Sequence, residues 1–155
     1  MLRYANYNIV FQEIPGEVTL AINLSNCPNR CKGCHSPYLQ VDEGTVLDQS
    51  ELLEILHKYG SAVTCVCFMG GDAAPHEVEQ LSLFLKSQHE YSLKTGWYSG
   101  KNELPPYLSV QNFDFIKIGA YEERCGGLDS PTTNQRFYRI EQDEMIDETE
   151  RFRNK

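Results

Sequence analysis

The sequence lacks a long hydrophobic run, and it also lacks an excess of basic charge. Nowhere does it offer the roughly 20 apolar residues of a membrane-spanning helix, and its opening segment, MLRYANYNIVFQEIPGE, has no apolar core of signal-peptide length. Lys and Arg total 14 against 22 Asp and Glu, for a net charge of -8, whereas binding to nucleic acid depends on clustered basic residues. We therefore expect a cytoplasmic protein that interacts with neither membranes nor nucleic acids.

Internal repeats, low-complexity tracts and linkers rich in Pro or Gly are missing as well. A chain of 155 residues has the usual size of one domain and can bury about two-thirds of the surface of its unfolded form. The sequence thus predicts a single domain over residues 1–155. Residues 141–155, EQDEMIDETERFRNK, stand out by their charge, and they predict a charged C-terminal tail or a solvated helix.

Hydrophobic patterns predict strands that alternate with helices. The nearly all-apolar run VTCVCFM is typical of a strand buried on both faces of a parallel sheet. Asp48 and Glu51 predict a capping box at the start of a helix that ends at Gly60, and Pro75 begins another helix. The pattern indicates four strand–helix units in an α/β fold with a mostly parallel sheet, either open or curled into a short partial (βα) barrel. The predicted strands are 17–23, 63–69, 92–99 and 113–118, with a short fifth strand at 136–140.

Unusual turns follow the first four predicted strands. Their sequences are CPNRCKGC, GGD, SG and GAYEE, in chain order. The carboxyl ends of parallel strands meet at one edge of the sheet, where α/β proteins bind their ligands. We therefore expect these four turns to form one rim that carries the functional site.

The densest group of reactive side chains is CPNRCKGC, in which Cys27, Cys31 and Cys34 have the spacing C-x3-C-x2-C. In a cytosolic protein, where thiols stay reduced, this spacing indicates a metal or cluster site. Three thiolates can hold three irons of a 4Fe-4S cluster and leave the fourth iron open for a ligand. A zinc site with His35 as the fourth ligand is the alternative, and a secreted disulfide protein is a more distant one.

The cysteine loop after the first strand, with Gly70, Gly71 and Asp72 after the second, resembles the radical S-adenosylmethionine superfamily. The resemblance implies that the three cysteines bind a 4Fe-4S cluster whose open iron is chelated by S-adenosyl-L-methionine (SAM). It also implies that one-electron reduction cleaves SAM to methionine and a 5'-deoxyadenosyl radical. The two glycines would let the backbone approach the cofactor, and the Asp72 carboxylate would face its amino group. The superfamily commonly has GGE here, so Asp72 is one methylene shorter.

Gly33, before the third cysteine, narrows the resemblance to the activating proteins of anaerobic ribonucleotide reductases. The segments WYSG and PTTNQRFYRI also resemble that family, and the resemblance spans about residues 5–140. It implies that His35 packs near the adenine and that Ser99 and Asn134 take part in cofactor binding. Simpler interpretations of these three residues are a surface histidine, a turn serine and a polar strand entry.

The same resemblance implies a function and its partners. The protein would be an activase that generates a glycyl radical on the large subunit of anaerobic ribonucleotide reductase, with a flavodoxin or ferredoxin-type protein as electron donor. An activase of another glycyl-radical enzyme, such as pyruvate formate-lyase, is the nearest alternative. A non-catalytic zinc-binding interaction module is the alternative from a different class.

The remaining cysteines have a structural interpretation. Cys65 and Cys67 lie two residues apart on a predicted strand, hence on one face, and we expect them to pack in the core. Cys125 precedes Gly126 and Gly127 in a predicted loop. The sequence leaves open whether Cys125 is reactive or a further ligand.

Overall fold

The computed structural model describes residues 2–25, 44–88 and 90–152. Within these residues, eight strands form one sheet in the order β3-β1-β2-β4-β5-β6-β7-β8, together with two α-helices, α1 (Gln49–Tyr59) and α2 (Pro75–Lys86). The strands are β1 (Arg3–Val10), β2 (Thr19–Leu24), β3 (Thr45–Val46), β4 (Cys65–Met69), β5 (Lys94–Tyr98), β6 (Phe115–Ile118), β7 (Arg136–Glu141) and β8 (Glu144–Asp147). Across this part of the chain, no helix has the length and apolarity that a bilayer crossing requires.

The four strands β2, β4, β5 and β6 form the parallel centre of the sheet. Asn23, Met69, Tyr98 and Lys117 occupy one row across these strands, so the strands end at the same edge. They correspond to the first four strands predicted from the sequence, and each begins two residues later than predicted. The common edge that we expected for β4, β5 and β6 is therefore confirmed.

The prediction of a mostly parallel sheet is wrong for the sheet as a whole. Four of its seven strand pairings are antiparallel, because β1 and β3 on one side and β7 and β8 on the other extend the parallel centre. The four expected strand–helix units are also too many, since the described chain between β5 and β6 contains only the short 3-10 helix Val110–Asn112. The expected barrel curvature stays a prediction.

Of the segment 141–155, which we expected to be a charged tail or helix, residues 141–147 complete a β-hairpin. β7 and β8 pair through Glu141 and Glu144, and the two residues between them, Gln142 and Asp143, have φ angles of 51° and 67°. Two successive positive φ values match the twist of a two-residue hairpin turn. The short 3-10 helix Thr149–Phe152 follows and buries Phe152, which explains why this charged segment packs onto the domain.

Two apolar clusters lie on opposite faces of the sheet. The first contains residues of α1 and α2 with those central-strand side chains that face the helices, such as Phe68 and Trp97. The second contains Ile14, Cys65, Cys67, Phe115, Phe137 and Phe152. Cys65 and Cys67 are free and buried, as we expected from their spacing.

Contacts at the start of α1 connect this helix to the sheet. The Asp48 side chain caps the helix by accepting a 2.9 Å hydrogen bond from the backbone N–H of Glu51. The Glu51 carboxylate in turn accepts a hydrogen bond from the Tyr4 hydroxyl on β1. Glu51 therefore stabilises the contact between α1 and β1.

Candidate functional site

The turns after β4, β5 and β6 meet at the carboxyl edge of the parallel strands. The backbone N–H of Gly70 donates to the Tyr98 carbonyl at 2.9 Å, and that of Ser99 donates to the Lys117 carbonyl at 2.8 Å. These bonds continue the sheet past the last residues of the strands. Among the residues that the sequence suggested as cofactor contacts, the structure brings Gly70, Gly71, Asp72 and Ser99 together here.

Asp72 is bound on both carboxylate oxygens by the turn that follows β5. The Ser99 hydroxyl donates to Oδ1 at 2.5 Å, and the Gly100 backbone N–H donates to Oδ2 at 2.8 Å. Asp72 and Ser99 are 9% and 1% exposed, so this pair is shielded from water. Burying a polar group costs free energy unless it is hydrogen-bonded, and these two bonds offset that cost for the carboxylate.

Gly70 and Gly71 are required by the backbone conformation of the β4 turn. Their φ angles are 98° and 87°, a region that residues with a Cβ atom rarely adopt. A Cβ on Gly71 would lie 2.7 Å from side-chain atoms of both Leu24 and Val78. The glycines therefore let the chain turn sharply from β4 while remaining packed against β2 and α2.

Lys117 is a member of this rim that the sequence reasoning missed. It lies on β6, is only 9% exposed, and its ammonium donates to the Ser99 carbonyl at 3.1 Å and to the Gly119 carbonyl at 3.0 Å. A lysine inside an apolar strand, FIKIG, was the available signal, because lysine is almost never fully buried unless it is paired.

Asn134 lies on the far side of the same rim. Its Nδ2 donates to the Ala120 carbonyl at 2.9 Å, while its Oδ1 is buried with no hydrogen-bond partner among the described residues. The neighbouring Gln135 donates from Nε2 to the Gly119 carbonyl at 3.3 Å. Asn134 is thus joined to the β6 turn and holds an unused acceptor in the protein interior.

The loop after the β6 turn borders an open cavity of about 430 Å³, lined by Tyr121, Glu122, Glu123 and Arg124. Arg124 forms an ion pair of 3.3 Å with Glu122. Cys125 follows, half-buried and free, and its carbonyl accepts a 2.9 Å hydrogen bond from Thr132 Oγ1. This loop therefore has a defined conformation beside the rim.

The predicted cluster ligands Cys27, Cys31 and Cys34, and the predicted adenine contact His35, lie outside the described residues. Among residues 2–25, 44–88 and 90–152, no group of three or more His, Cys, Asp or Glu side chains is placed to hold a metal ion. The metal ligands therefore stay a prediction from the sequence, and Asp72 is the carboxylate that the described structure places against the turn after β5.

The described rim has the chemistry of a site for a cationic, hydrogen-bonding ligand. It combines a buried carboxylate at Asp72, held by Ser99 and Gly100, with an amide oxygen at Asn134 that has no hydrogen-bond partner among the described residues. The pKa values of Cys65 and Cys67 are raised mainly by their burial, so these two thiols are poor metal ligands in the folded protein.

Comparisons with protein-family models, curated proteins and solved structures find no match for this chain.

Proposed function

We propose that the protein is a radical SAM activase that generates a glycyl radical on a partner enzyme. One observation carries most weight: β2, whose end leads in the sequence to Cys27, is the parallel neighbour of β4, whose turn carries Asp72. A ligand set on the turn after β2 and an acidic group on the turn after β4 would belong to one edge of the sheet. This arrangement supports a cluster and its cofactor at adjacent places.

The residues of the rim fit the groups that SAM presents. Asp72 would face the cationic amino group of SAM, because its buried carboxylate is already oriented by the Ser99 hydroxyl and the Gly100 N–H. Gly70 and Gly71 would shape the turn that carries Asp72, and Asn134 Oδ1 would accept a hydrogen bond from a ribose hydroxyl or an amino group. When bound, the 4Fe-4S cluster and SAM supply the one-electron cleavage that yields a 5'-deoxyadenosyl radical.

The partner is proposed from the resemblance to activating proteins of anaerobic ribonucleotide reductases. Cys27, Cys31 and Cys34 would hold the cluster, His35 would pack near the adenine, and the large reductase subunit would supply the glycine. A flavodoxin or ferredoxin-type protein would supply the electron. The short partial barrel predicted from the sequence would suit this role, because its open side could admit a loop of another protein.

Anaerobic reconstitution of the full chain with iron and sulfide tests the proposal. We expect a brown protein with an electron paramagnetic resonance signal after reduction, and we expect 5'-deoxyadenosine to form when dithionite and SAM are added. A colourless protein that binds one zinc would overturn the proposal in favour of an interaction module. With the cluster in place, a glycyl radical signal on the reductase, and none on pyruvate formate-lyase, would identify the partner class.

A further inference from the structure

Lys117 is the buried cation at the centre of the rim. Its neighbours Ile116 and Ile118 belong to the apolar cluster on the helix side of the sheet, so Lys117 projects from the opposite face. There its Nζ lies 5.9 Å from the centroid of the Tyr98 ring. This face of the sheet is mainly apolar further down, where it carries Phe115, Cys65 and Cys67.

The Lys117 ammonium connects the turns after β5 and β6. It donates to the carbonyls of Ser99 and Gly119, which follow Tyr98 and Ile118, the last residues of these two strands. Gly119 also donates its N–H to the Lys101 carbonyl at 2.7 Å. The two turns thus share a hydrogen-bond network in which Lys117 is the only charged donor among the bonds named here.

The same network reaches the two ends of the candidate site. Ser99, whose carbonyl is held by Lys117, uses its hydroxyl to bind Asp72. Gly119, whose carbonyl is also held by Lys117, accepts from Gln135 next to Asn134. A side chain that fixes these two carbonyls therefore fixes the turns from which the Asp72 and Asn134 contacts are made.

We infer that Lys117 is a positioning residue, whose ammonium orients the Ser99–Asp72 pair through the carbonyls of Ser99 and Gly119. A methionine would fill similar volume against Tyr98 without the cost of burying a charge, so packing alone does not account for a lysine here. The positive charge strengthens the hold on the two carbonyls, because hydrogen bonds from an ionised donor are stronger than those from a neutral one. The consequence for SAM affinity rests on the proposed function, whereas the consequence for the two turns does not.

Hydrogen exchange in the full chain without cofactor tests the positioning role directly. In Lys117→Met, the amides of Gly100 and Lys101, which donate to Asp72 Oδ2 and Ser99 Oγ, should exchange about tenfold faster than in the wild type. The amides of β4 serve as the reference for global stability. Unchanged exchange at Gly100 and Lys101 would overturn the inference, whatever the function of the protein.

Lys94→Met is the matched control variant. The Lys94 Nζ also lies 5.9 Å from an aromatic ring, that of Phe115, but it is at the opposite end of β5 and pairs with Glu17 at the surface. This variant should leave the exchange of Gly100 and Lys101 within about twofold of the wild type. Equal acceleration in the two variants would show that loss of any lysine on this face, and not the Lys117 contacts, loosens the turns.

SAM binding to the reconstituted protein tests the second part of the inference. We expect Lys117→Met to retain its iron content and to bind SAM about tenfold more weakly. Its effect and that of Asp72→Asn should not add in the double variant, because both act through the same pair. Additive losses, or an unchanged Kd in Lys117→Met, would overturn this part. If the wild type binds no SAM while the exchange result holds, the proposed function fails and the positioning of the turns stands.

Discussion

The hydroxyl of Ser99 donates a 2.5 Å hydrogen bond to Asp72, which lies 27 residues earlier in the chain. The sequence suggested the two residues as separate cofactor contacts, and the structure makes them one buried pair. The Asp72 carboxylate is therefore oriented by the β5 turn before any ligand arrives. A group held in advance in this way loses less freedom when it binds a ligand.

The pair predicts that Asp72→Asn will destabilise the fold as well as weaken cofactor binding. One oxygen becomes an NH2 group that cannot accept from Ser99 or from Gly100, so a buried donor loses its partner. We expect the free energy of unfolding to fall by about 1–3 kcal/mol, as measured by urea denaturation. Asp129→Asn, at an exposed position, should change it by less than about 0.5 kcal/mol. Equal stability of Asp72→Asn and the wild type would contradict the described hydrogen bonds.

The positive φ of Gly71 predicts that adding a single methyl group at this position will strongly destabilise the fold. Gly71→Ala must adopt a φ of 87° and place its Cβ 2.7 Å from Leu24 and Val78, so both backbone strain and overpacking result. We expect a loss of about 2–4 kcal/mol in the free energy of unfolding, measured by thermal or urea denaturation.

Gly127→Ala is the control for Gly71→Ala, because its added Cβ would meet only Asp129 Oδ1, at 3.8 Å. Gly127→Ala should leave the free energy of unfolding nearly unchanged. A Gly71→Ala variant as stable as Gly127→Ala would mean that the turn after β4 can be rebuilt without its glycine.

The raised pKa of Tyr4 predicts that the protein loses stability at high pH. Burial, with the hydrogen bond to Glu51, raises the pKa of Tyr4 to about 12, whereas a tyrosine in the unfolded chain titrates near pH 10. The stabilisation is therefore complete below about pH 10 and is lost as the pH rises toward 12. Unfolding midpoints in urea at a series of pH values measure this decline.

A Tyr4→Phe variant separates this effect from those of Tyr7 and Tyr98, whose pKa values are raised as well, chiefly by burial. The variant should be less sensitive to pH than the wild type between pH 10 and 12. Tyr107→Phe, at a position that is 58% exposed, should follow the wild type. Identical pH profiles for Tyr4→Phe and the wild type would mean that Tyr4 titrates normally.

The proposed cluster predicts different roles for the cysteines. Cys31→Ala should abolish both the iron–sulfur absorption and the cleavage of SAM, because a thiolate ligand is lost. Cys65→Ala, on the buried face of β4, should keep both, with some loss of stability from the vacated volume. Cys125→Ala tests the half-buried thiol beside the rim and should also keep both. Iron content after reconstitution measures all three, and equal loss in Cys31→Ala and Cys65→Ala would contradict the ligand assignment.

The central strands could be predicted because their signal is local. The run VTCVCFM, which contains β4, is apolar on both faces. In the structure β4 lies between β2 and β5. One of its faces contributes to the apolar cluster that includes α1 and α2, and the other to the apolar cluster that includes Phe115 and Phe137. The hydrophobic pattern did not predict β1, because its sequence RYANYNIV contains two asparagines. One of them, Asn6, is hydrogen-bonded to Asn23 on the neighbouring strand β2. β8 was missed because EMID is short and charged, as edge strands often are.

Some residues of the candidate site could likewise be identified from the sequence, and others could not. Asp72 and Ser99 could be found because each follows a strand and is of a type that binds ligands. Lys117 was signalled only by its unusual place inside the apolar strand β6, and that place gave no sign of which carbonyls it would meet. Asn134 was suggested by resemblance alone, and its link to Ala120 depends on how the chain returns to form β7.

The amino-acid sequence by itself determined the local features of this protein: the buried runs of β4 and β6, the cap of α1 at Asp48, and the pair of glycines that ends β4. It also carries the C-x3-C-x2-C pattern on which the proposed function depends. Only the tertiary structure decided that Ser99 would hold Asp72 and that Lys117 would hold Ser99 and Gly119. The physical reason is that these bonds join residues brought together by strand order and register, which the periodicity of a single segment does not specify.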